Sequence, residues 1–407
     1  MDKVVLAYSG GLETSVCIHW LRYRKGLDVR TFSADLGQPL SAEELSRQAL
    51  DLGAHGVFIR DLRQRFAEDF ILPALMANAE TETGIPLSVA LSRPLITEEL
   101  ILIARSENCR YIAHGGSAKS NDQIRFQMTA AALAPDLRVL APLREPELAS
   151  RKSLIRYAKR HSLPITTAPK TTYDEDQNIW GRLITGEAVE DLAREAPEEL
   201  FRMTRNPASA PPEGEEVVVG FDGGVPTTLN GKKMSLVELI EELNEVAGRN
   251  GVGRVDGLDT KIVGIKARYI AEAPAAKTLV FAHRRLECAV LPAELLRLKR
   301  HIERIYADVV HRGLWFSRLR RALQAFIDET QPPVTGRVRL RLRQGTVELC
   351  GVESDYTLYD ADLATHSERD AFDHSAAAGF VDVLALEHRL EGMRERLLQA
   401  RIVRRRS

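Results

Sequence analysis

The stretch Lys3-Val4-Val5-Leu6-Ala7-Tyr8-Ser9-Gly10-Gly11-Leu12-Glu13-Thr14-Ser15 runs from a continuously apolar segment through two glycines into a helical pattern, with Val16, Trp20 and Leu21 at inward spacing. An unbroken apolar run suits a strand buried on both faces, as in a parallel sheet. Gly10 and Gly11 let the backbone turn tightly and approach an anion with no Cβ in the way. The helix that follows aims its free N–H groups and positive dipole end at the same point. Ser9, Thr14 and Ser15 add hydroxyl donors. No Gly-Lys-Ser/Thr follows, so this is not a Walker A loop, and the spacing is not that of a G-x-G-x-x-G turn.

Working outward, strand-like runs at Val29–Ala34, Gly56–Arg60, Tyr111–His114 and Val139–Ala141 alternate with helical patterns. The helices are predicted from Ser41 to about Leu52 behind a capping box, over Leu62–Ala77 with a break at Pro73, and over Pro94–Glu107, Gln123–Leu133 and Ser150–His161. Such alternation predicts an α/β fold, a doubly wound parallel sheet whose strand C-termini share one edge. After Pro169 the rhythm changes. Hairpins are predicted around Asp222-Gly223-Gly224 and Gln344-Gly345, and helices over Leu236–Ala247 (ended by Gly248), Ala273–Leu291, Ala293–Arg312 and Ser317–Thr330. The expected organisation is a nucleotide-binding domain at 1–165, an α+β domain at 166–370 and a C-terminal helical arm at 371–407. The arm carries Leu384, Leu386, Leu390 and Leu397, an apolar stripe suited to docking on another subunit or on its own domain. Arg404-Arg405-Arg406 reads as a solvated tail.

With 56 Lys plus Arg against 57 Asp plus Glu, the net charge is -1, which argues against a chain built to grip a nucleic-acid backbone. The four cysteines, Cys17, Cys109, Cys288 and Cys350, are far apart with no CxxC pair, so neither a metal site nor a disulfide framework is predicted. There is no signal-peptide layout and no apolar run of membrane-spanning length; a cytoplasmic protein with no membrane partner is expected.

Strand–SGGxxxS–helix resembles the PP-loop of ATP pyrophosphatases, which cut ATP between the α and β phosphates. Further blocks are similar to the argininosuccinate synthase family in order along nearly the whole chain. They include Ala34-Asp35-Leu36-Gly37-Gln38, Ala90-Leu91-Ser92-Arg93-Pro94-Leu95-Ile96, His114-Gly115, Asn121-Asp122-Gln123-Ile124-Arg125-Phe126, Asn178-Ile179-Trp180-Gly181-Arg182 and Gly313-Leu314-Trp315-Phe316. The resemblance implies an AMP-forming ligase: ATP, with Mg2+, adenylates the ureido oxygen of citrulline, and the aspartate amine displaces AMP. It implies nucleotide contacts at Ala7, Tyr8, Ser9, Gly10, Gly11, Glu13, Thr14, Ser15, Ala34 and Gly115. It implies aspartate contacts at Ser117, Asn121 and Asp122, acceptor contacts at Asn121 and Arg125, catalytic roles for Asp122 and Arg125, and a homotetramer. From the residues alone, Asn121-Asp122 reads equally as a helix cap.

The departures from the family cluster. Ile85 and Ala271 stand where it has tyrosine, Asp174 and Leu183 where it has serine, and Asp259 where it has glutamate; all five correspond to acceptor positions. On the nucleotide side the changes are milder, with Glu13 for aspartate and Ala118 and Ser120 for glycines beside Lys119. Losing phenols and hydroxyls weakens selection of a polar ligand. A larger, less polar or cationic acceptor is therefore a second expectation, and a slipped alignment of loops 80–91 and 170–185 would give the same pattern. Two further alternatives are a catalytically silent regulator and a tRNA-modifying PP-loop enzyme. The charge balance and cysteine spacing weigh against the latter.

Overall fold

The computed structural model describes residues 1–164 and 173–406, with backbone alone over 402–406; the boundary expected at 165/166, the change of rhythm after Pro169 and the side chains of Arg404–Arg406 lie outside them. Five parallel strands, β1 (Lys3–Ala7), β2 (Asp28–Asp35), β3 (Gly56–Asp61), β4 (Tyr111–Ala113) and β5 (Arg138–Leu140), form a sheet in the order β3-β2-β1-β4-β5. The apolar run at Val4–Leu6 is fully buried, as a central parallel strand requires. Helices cover both faces. They are α1 (Leu12–Tyr23), α2 (Ala42–Asp51), α3 (Arg63–Phe66), α4 (Leu72–Met76), α5 (Ser88–Ser106), α6 (Asn121–Leu133) and α7 (Arg151–Arg160). This is the α/β doubly wound domain that the opening residues predict.

Two proline readings change. The break assigned to Pro73 is a single π turn, Ala67–Ile71, joining α3 to α4, because a proline N cannot close the regular i→i−4 ladder. Pro94 does not open its helix but sits inside α5, which begins at Ser88 and whose early residues Val89, Ala90 and Leu91 are buried. Burial of that first turn outweighs the one hydrogen bond Pro94 removes.

The remaining strands are antiparallel. β6 (Asp174–Asn178), β7 (Gly181–Thr185), β8 (Glu215–Asp222), β9 (Val225–Leu229), β10 (Lys232–Lys233), β11 (Arg254–Thr260), β12 (Lys266–Glu272), β13 (Gly336–Arg343) and β14 (Thr346–Glu353) make two sheets. One runs β10-β9-β8-β13-β14 and contains both predicted hairpins; the other, β11-β12-β7-β6, was not legible as a sheet in the sequence. Helices α8 (Leu236–Arg249), α9 (Pro274–Val290), α10 (Ala293–His311) and α11 (Arg318–Thr330) complete this part. Gly248 does not end α8 but lies in its last turn, where a Cβ would stand 2.1 Å from the Met203 carbonyl oxygen.

The chain divides into two compact units, Met1–Tyr356 and Thr357–Ser407. Within the second, α12 (Ala361–Ala364), α13 (His374–Leu384) and α14 (Leu386–Arg406) are described; the single terminal helix expected from Val381 is two helices meeting at Ala385. No described helix is long and apolar enough to cross a membrane.

The sheet β11-β12-β7-β6 is anchored on its outer face by a buried ion pair. Glu272 and Arg182 are both fully buried and bond at 2.7 Å, and Glu272 also accepts the backbone amides of Arg202, Met203 and Thr204. Removing Glu272 leaves Arg182 with Glu175 as its one remaining carboxylate and strips the amides of Arg202, Met203 and Thr204 of their acceptor. Glu272→Ala is expected to destabilise the protein by about 3–5 kcal/mol, read as a lower urea midpoint at unchanged slope.

Candidate functional site

β1 and β4 are neighbours at the point where the strand order reverses, so their C-terminal loops open a crevice at one sheet edge. Gly10, at φ 79°, turns the first loop; a Cβ there would lie 2.6 Å from Leu45 Cδ2. Gly115, in the loop after β4, lies against Thr14: a Cβ on it would sit 2.7 Å from Thr14 Cγ2. The amides of Leu12, Glu13 and Thr14 precede the first bond of α1, Ser15 N–H to the Gly11 carbonyl at 3.0 Å, and so face the crevice edge unpaired within the helix. Ser9 and Thr14 hydroxyls lie 3.2 Å apart at this turn. Ser15 differs from expectation: it is fully buried and its hydroxyl is 3.4 Å from the Tyr8 phenol, whose pKa burial pushes up. Ala7 and Ala34 are half-buried near the ends of adjacent strands, and Gln38 donates to the Ala34 carbonyl at 2.6 Å. Burial raises the Glu13 carboxyl; its own amide opposes this, nearby Asp174 adds to it, and Arg151, 3.7 Å from Glu13 and 3.4 Å from Asp174, opposes it again.

The second wall is the start of α6. Ser120, not Asn121 or Asp122, is the N-cap, its hydroxyl accepting the Asp122 amide at 3.0 Å. Asn121 and Asp122 therefore present their side chains from the first helical turn. Asn121 is tied at both ends, its Oδ1 accepting the Ile262 amide at 2.9 Å and its Nδ2 lying 3.3 Å from His311 Nε2. Asp122 receives Arg93 at 2.8 Å on one oxygen and Arg125 at 3.1 Å on the other. Burial works to raise its pKa, but the two guanidiniums outweigh it and the carboxyl lies below its usual range. Arg93 also pairs with Asp176. Arg125 is buried, its Nε donating to the His311 carbonyl at 3.0 Å. Burial pushes the His311 imidazole down to about 4, and Arg125 pushes the same way. Ser117 stands in the loop between, its carbonyl accepting the Ser120 amide at 3.0 Å.

The third wall is one face of the sheet β11-β12-β7-β6. Directly paired residues share a face, and alternate residues along a strand do too. The register Asp176↔Leu183, Leu183↔Ala271, Val255↔Ala271 and Asp259↔Ala267 puts Asp174, Leu183, Ala271 and Asp259 on one face. Tyr269 and Asp176 lie on it as well, and Gly257 faces Tyr269. Asp259 accepts the Thr83 hydroxyl at 3.0 Å, and a Cβ on Gly257 would meet Thr83 Oγ1 at 2.5 Å and Ile85 Cδ1 at 3.0 Å. Ile85 is buried at this edge. The face thus runs from Asp174, beside Glu13, to Asp259, beside Thr83.

The structure gathers the expected residues into two linked groups: the loop around Ser9–Thr14 with Gly115 and Asp174, and the Asp122–Arg125 group with Asp259. Asp174, expected at the acceptor, lies on the face of Leu183 and Ala271 and shares Arg151 with Glu13. Arg93, Asp176, Thr83, Tyr269 and His311 were missed. Arg93 lies within the family-like stretch Ala90–Ile96, and Tyr269 was readable from strand alternation two residues before Ala271; His311 and Thr83 carried no signal. No group of three or more His, Cys, Asp or Glu among the described residues could hold a metal ion.

Comparison with known proteins agrees in extent with this arrangement. The model described as the arginosuccinate synthase N-terminal HUP domain matches residues 3–164, and that of the arginosuccinate synthase C-terminal domain matches residues 173–391. The chain is 48% identical to the argininosuccinate synthase of Symbiobacterium thermophilum, over 94% of this chain and 96% of that one. It is 46% identical to the argininosuccinate synthase of Chlorobium luteolum, over 95% and 96%. To that of Rubrobacter xylanophilus it is 45% identical, over 95% and 94%.

His114 closes the floor of the crevice, buried and stacked on Phe126 at 4.9 Å, with Nδ1 accepting the Gly116 amide at 3.0 Å. That bond puts the neutral ring's proton on Nε2, which has no hydrogen-bond partner among the described residues. Burial, then the charge of Arg144, push its pKa down from 6.5 to about 4. The neutral ring is favoured in the fold, so the contribution to stability is complete above pH 6.5. As pH falls from there the unfolded chain takes the proton first, and stability declines until about pH 4. The expected slope from this group is about 1.4 kcal/mol per pH unit, and His114→Asn should remove that much from the slope in urea titrations between those limits.

Proposed function

The chain belongs to the argininosuccinate synthase family, and we propose that the crevice joins aspartate to citrulline with cleavage of ATP to AMP and pyrophosphate. The observation that carries the reading is the junction of the Ser9–Gly11 loop with the Asp122–Arg125 group at one switch point, an anion cradle beside a paired-charge pocket.

In this reading the amides of Leu12 and Thr14 and the Ser9 and Thr14 hydroxyls receive the pyrophosphate end of ATP, with Gly10, Gly11 and Gly115 giving the backbone room, and Ala7, Tyr8 and Ala34 bordering the nucleotide. Mg2+ belongs on the triphosphate, where phosphate oxygens and water supply its ligands and a protein cage is not needed; there it would offset the charge leaving on pyrophosphate. The citrulline ureido oxygen attacks the α-phosphorus and the bond to the β-phosphate breaks. The aspartate amine, having released a proton to water, then attacks the ureido carbon and AMP leaves. Asp122 is a poor base for that proton, since a carboxylate held below its usual range binds protons weakly. Its role is to orient Arg93 and Arg125 and attract the aspartate ammonium beside Ser117 and Asn121. Arg125 offers a guanidinium to the acceptor carboxylate. Rate then comes chiefly from holding amine and activated carbon together.

Thiols without disulfides fit a reducing compartment, and we assign the cytoplasm on that ground. The apolar residues exposed on α13 and α14, among them Leu390 at 66% and Leu397 at 70%, support a homotetramer built through this arm.

Two measurements test the reading. AMP and pyrophosphate should be released in equal amounts only when citrulline and aspartate are both present; release without an acceptor, or none at all, would sink it. Gly115→Ala, which pushes a methyl onto Thr14, should raise the KM for ATP about tenfold with a smaller change for citrulline. For assembly, light scattering should give a four-chain mass for the native protein and a lower one for the Leu390→Glu, Leu397→Glu double variant. An unchanged mass counts against the arm.

A further inference from the structure

We propose that Tyr269 is a specificity-determining residue of the acceptor site, its phenol donating a hydrogen bond to the acceptor carboxylate that Arg125 attracts. The proposal rests on the reading of the crevice as a citrulline–aspartate ligase site and deepens it.

The sheet face that meets α6 is poor in polar groups where an acceptor would lie. Leu183 and Ala271, paired across β7 and β12, offer only hydrocarbon there. Tyr269 is two residues from Ala271 on the same face, and is the only aromatic residue among those paired on it. The opposite face is engaged elsewhere: Ile270 packs with Ile184, Val189 and Leu200, and Arg268 bonds Asp256. Across from Tyr269, Gly257 is covered by Thr83 and Ile85, which bounds the ring on the β11 side. On the other side Ala271 leaves room next to it.

The phenol is half-buried, and no hydrogen bond to any described residue engages its oxygen. Buried phenols ordinarily find a partner. Burial raises its pKa, Arg125 opposes this, and Asp259 and Asp122 add to the rise, so the group stays a donor across the neutral range. These three charges also identify its surroundings as the Asp122–Arg125 group rather than the outer face. Arg125 is itself partly committed, Nε to the His311 carbonyl and Nη1 to Asp122, which leaves Nη2 without a protein partner among the described residues. Two unspent donors, one cationic and one neutral, beside one another on converging walls suit a carboxylate. A site built to bond such a group discriminates strongly against ligands that lack it.

The test is steady-state kinetics on the full chain, with citrulline and citrulline amide as paired acceptors. Tyr269→Phe should raise the KM for citrulline about tenfold, leave kcat within about twofold, and leave the KM for ATP and aspartate unchanged. The preference for citrulline over its amide should shrink by a similar factor. Adding Ala271→Tyr to Tyr269→Phe returns a phenol to the same face and should recover part of the loss. An unchanged citrulline KM with a normal native enzyme overturns this proposal alone. Equal rises in all three KM values would show a merely structural residue and also overturn it. A native enzyme inert toward citrulline overturns the proposed function, and this inference with it.

Discussion

The Arg93 guanidinium holds the arrangement together. It projects from α5, within the nucleotide-binding layer, and pairs at once with Asp122 at the start of α6 and Asp176 on β6. A cation largely shielded from water, here 13% exposed at its side chain, is costly unless it is paired. Both carboxylates hold Arg93 firmly protonated, against the opposing effect of burial. The ion pair therefore ties the antiparallel sheet to the parallel one, and the relative positions of the first loop and the far pocket follow from it.

From that clamp the site acquires a direction. Strands in a sheet lie about 4.8 Å apart, so the face from β6 to β11 spans roughly 14 Å. Asp174 and Glu13 stand at the end nearest the first loop, Asp176 and Asp122 beneath Arg93, and Asp259 with Thr83 at the other end. A reaction that activates one substrate with a nucleotide and attacks it with another needs sites in such a series. The distances between them are set by the sheet rather than by mobile loops, which is what positioning catalysis asks for.

The charges in the crevice are spoken for in advance. Asp122 is doubly paired, His311 and His114 are kept neutral by burial, and Glu13, raised by burial, stands beside Arg151. That electrostatic pattern suits chemistry in which a good leaving group, rather than proton abstraction, lowers the barrier. It also explains why the recognisable motif in this chain is a phosphate loop and not a catalytic triad.

Local signals in the sequence determined much of this. Val4–Leu6, Gly10-Gly11 and the helical spacing of Val16, Trp20 and Leu21 dictated a parallel strand, a tight turn and a helix, since each depends on neighbours a few residues away. The hairpins at Gly223-Gly224 and Gln344-Gly345 were legible for the same reason. Only the tertiary structure decided that Arg93 bridges Asp122 to Asp176, that Asp174 shares Arg151 with Glu13, and that Ser15 turns toward Tyr8. It alone brought His311 against Arg125, 186 positions apart in sequence. It also decided that the face of Ala271 carries a phenol at Tyr269, because the register of β11, β12, β7 and β6 comes from pairing across long stretches of chain. Side chains that meet through such pairing leave no periodicity for the sequence to display.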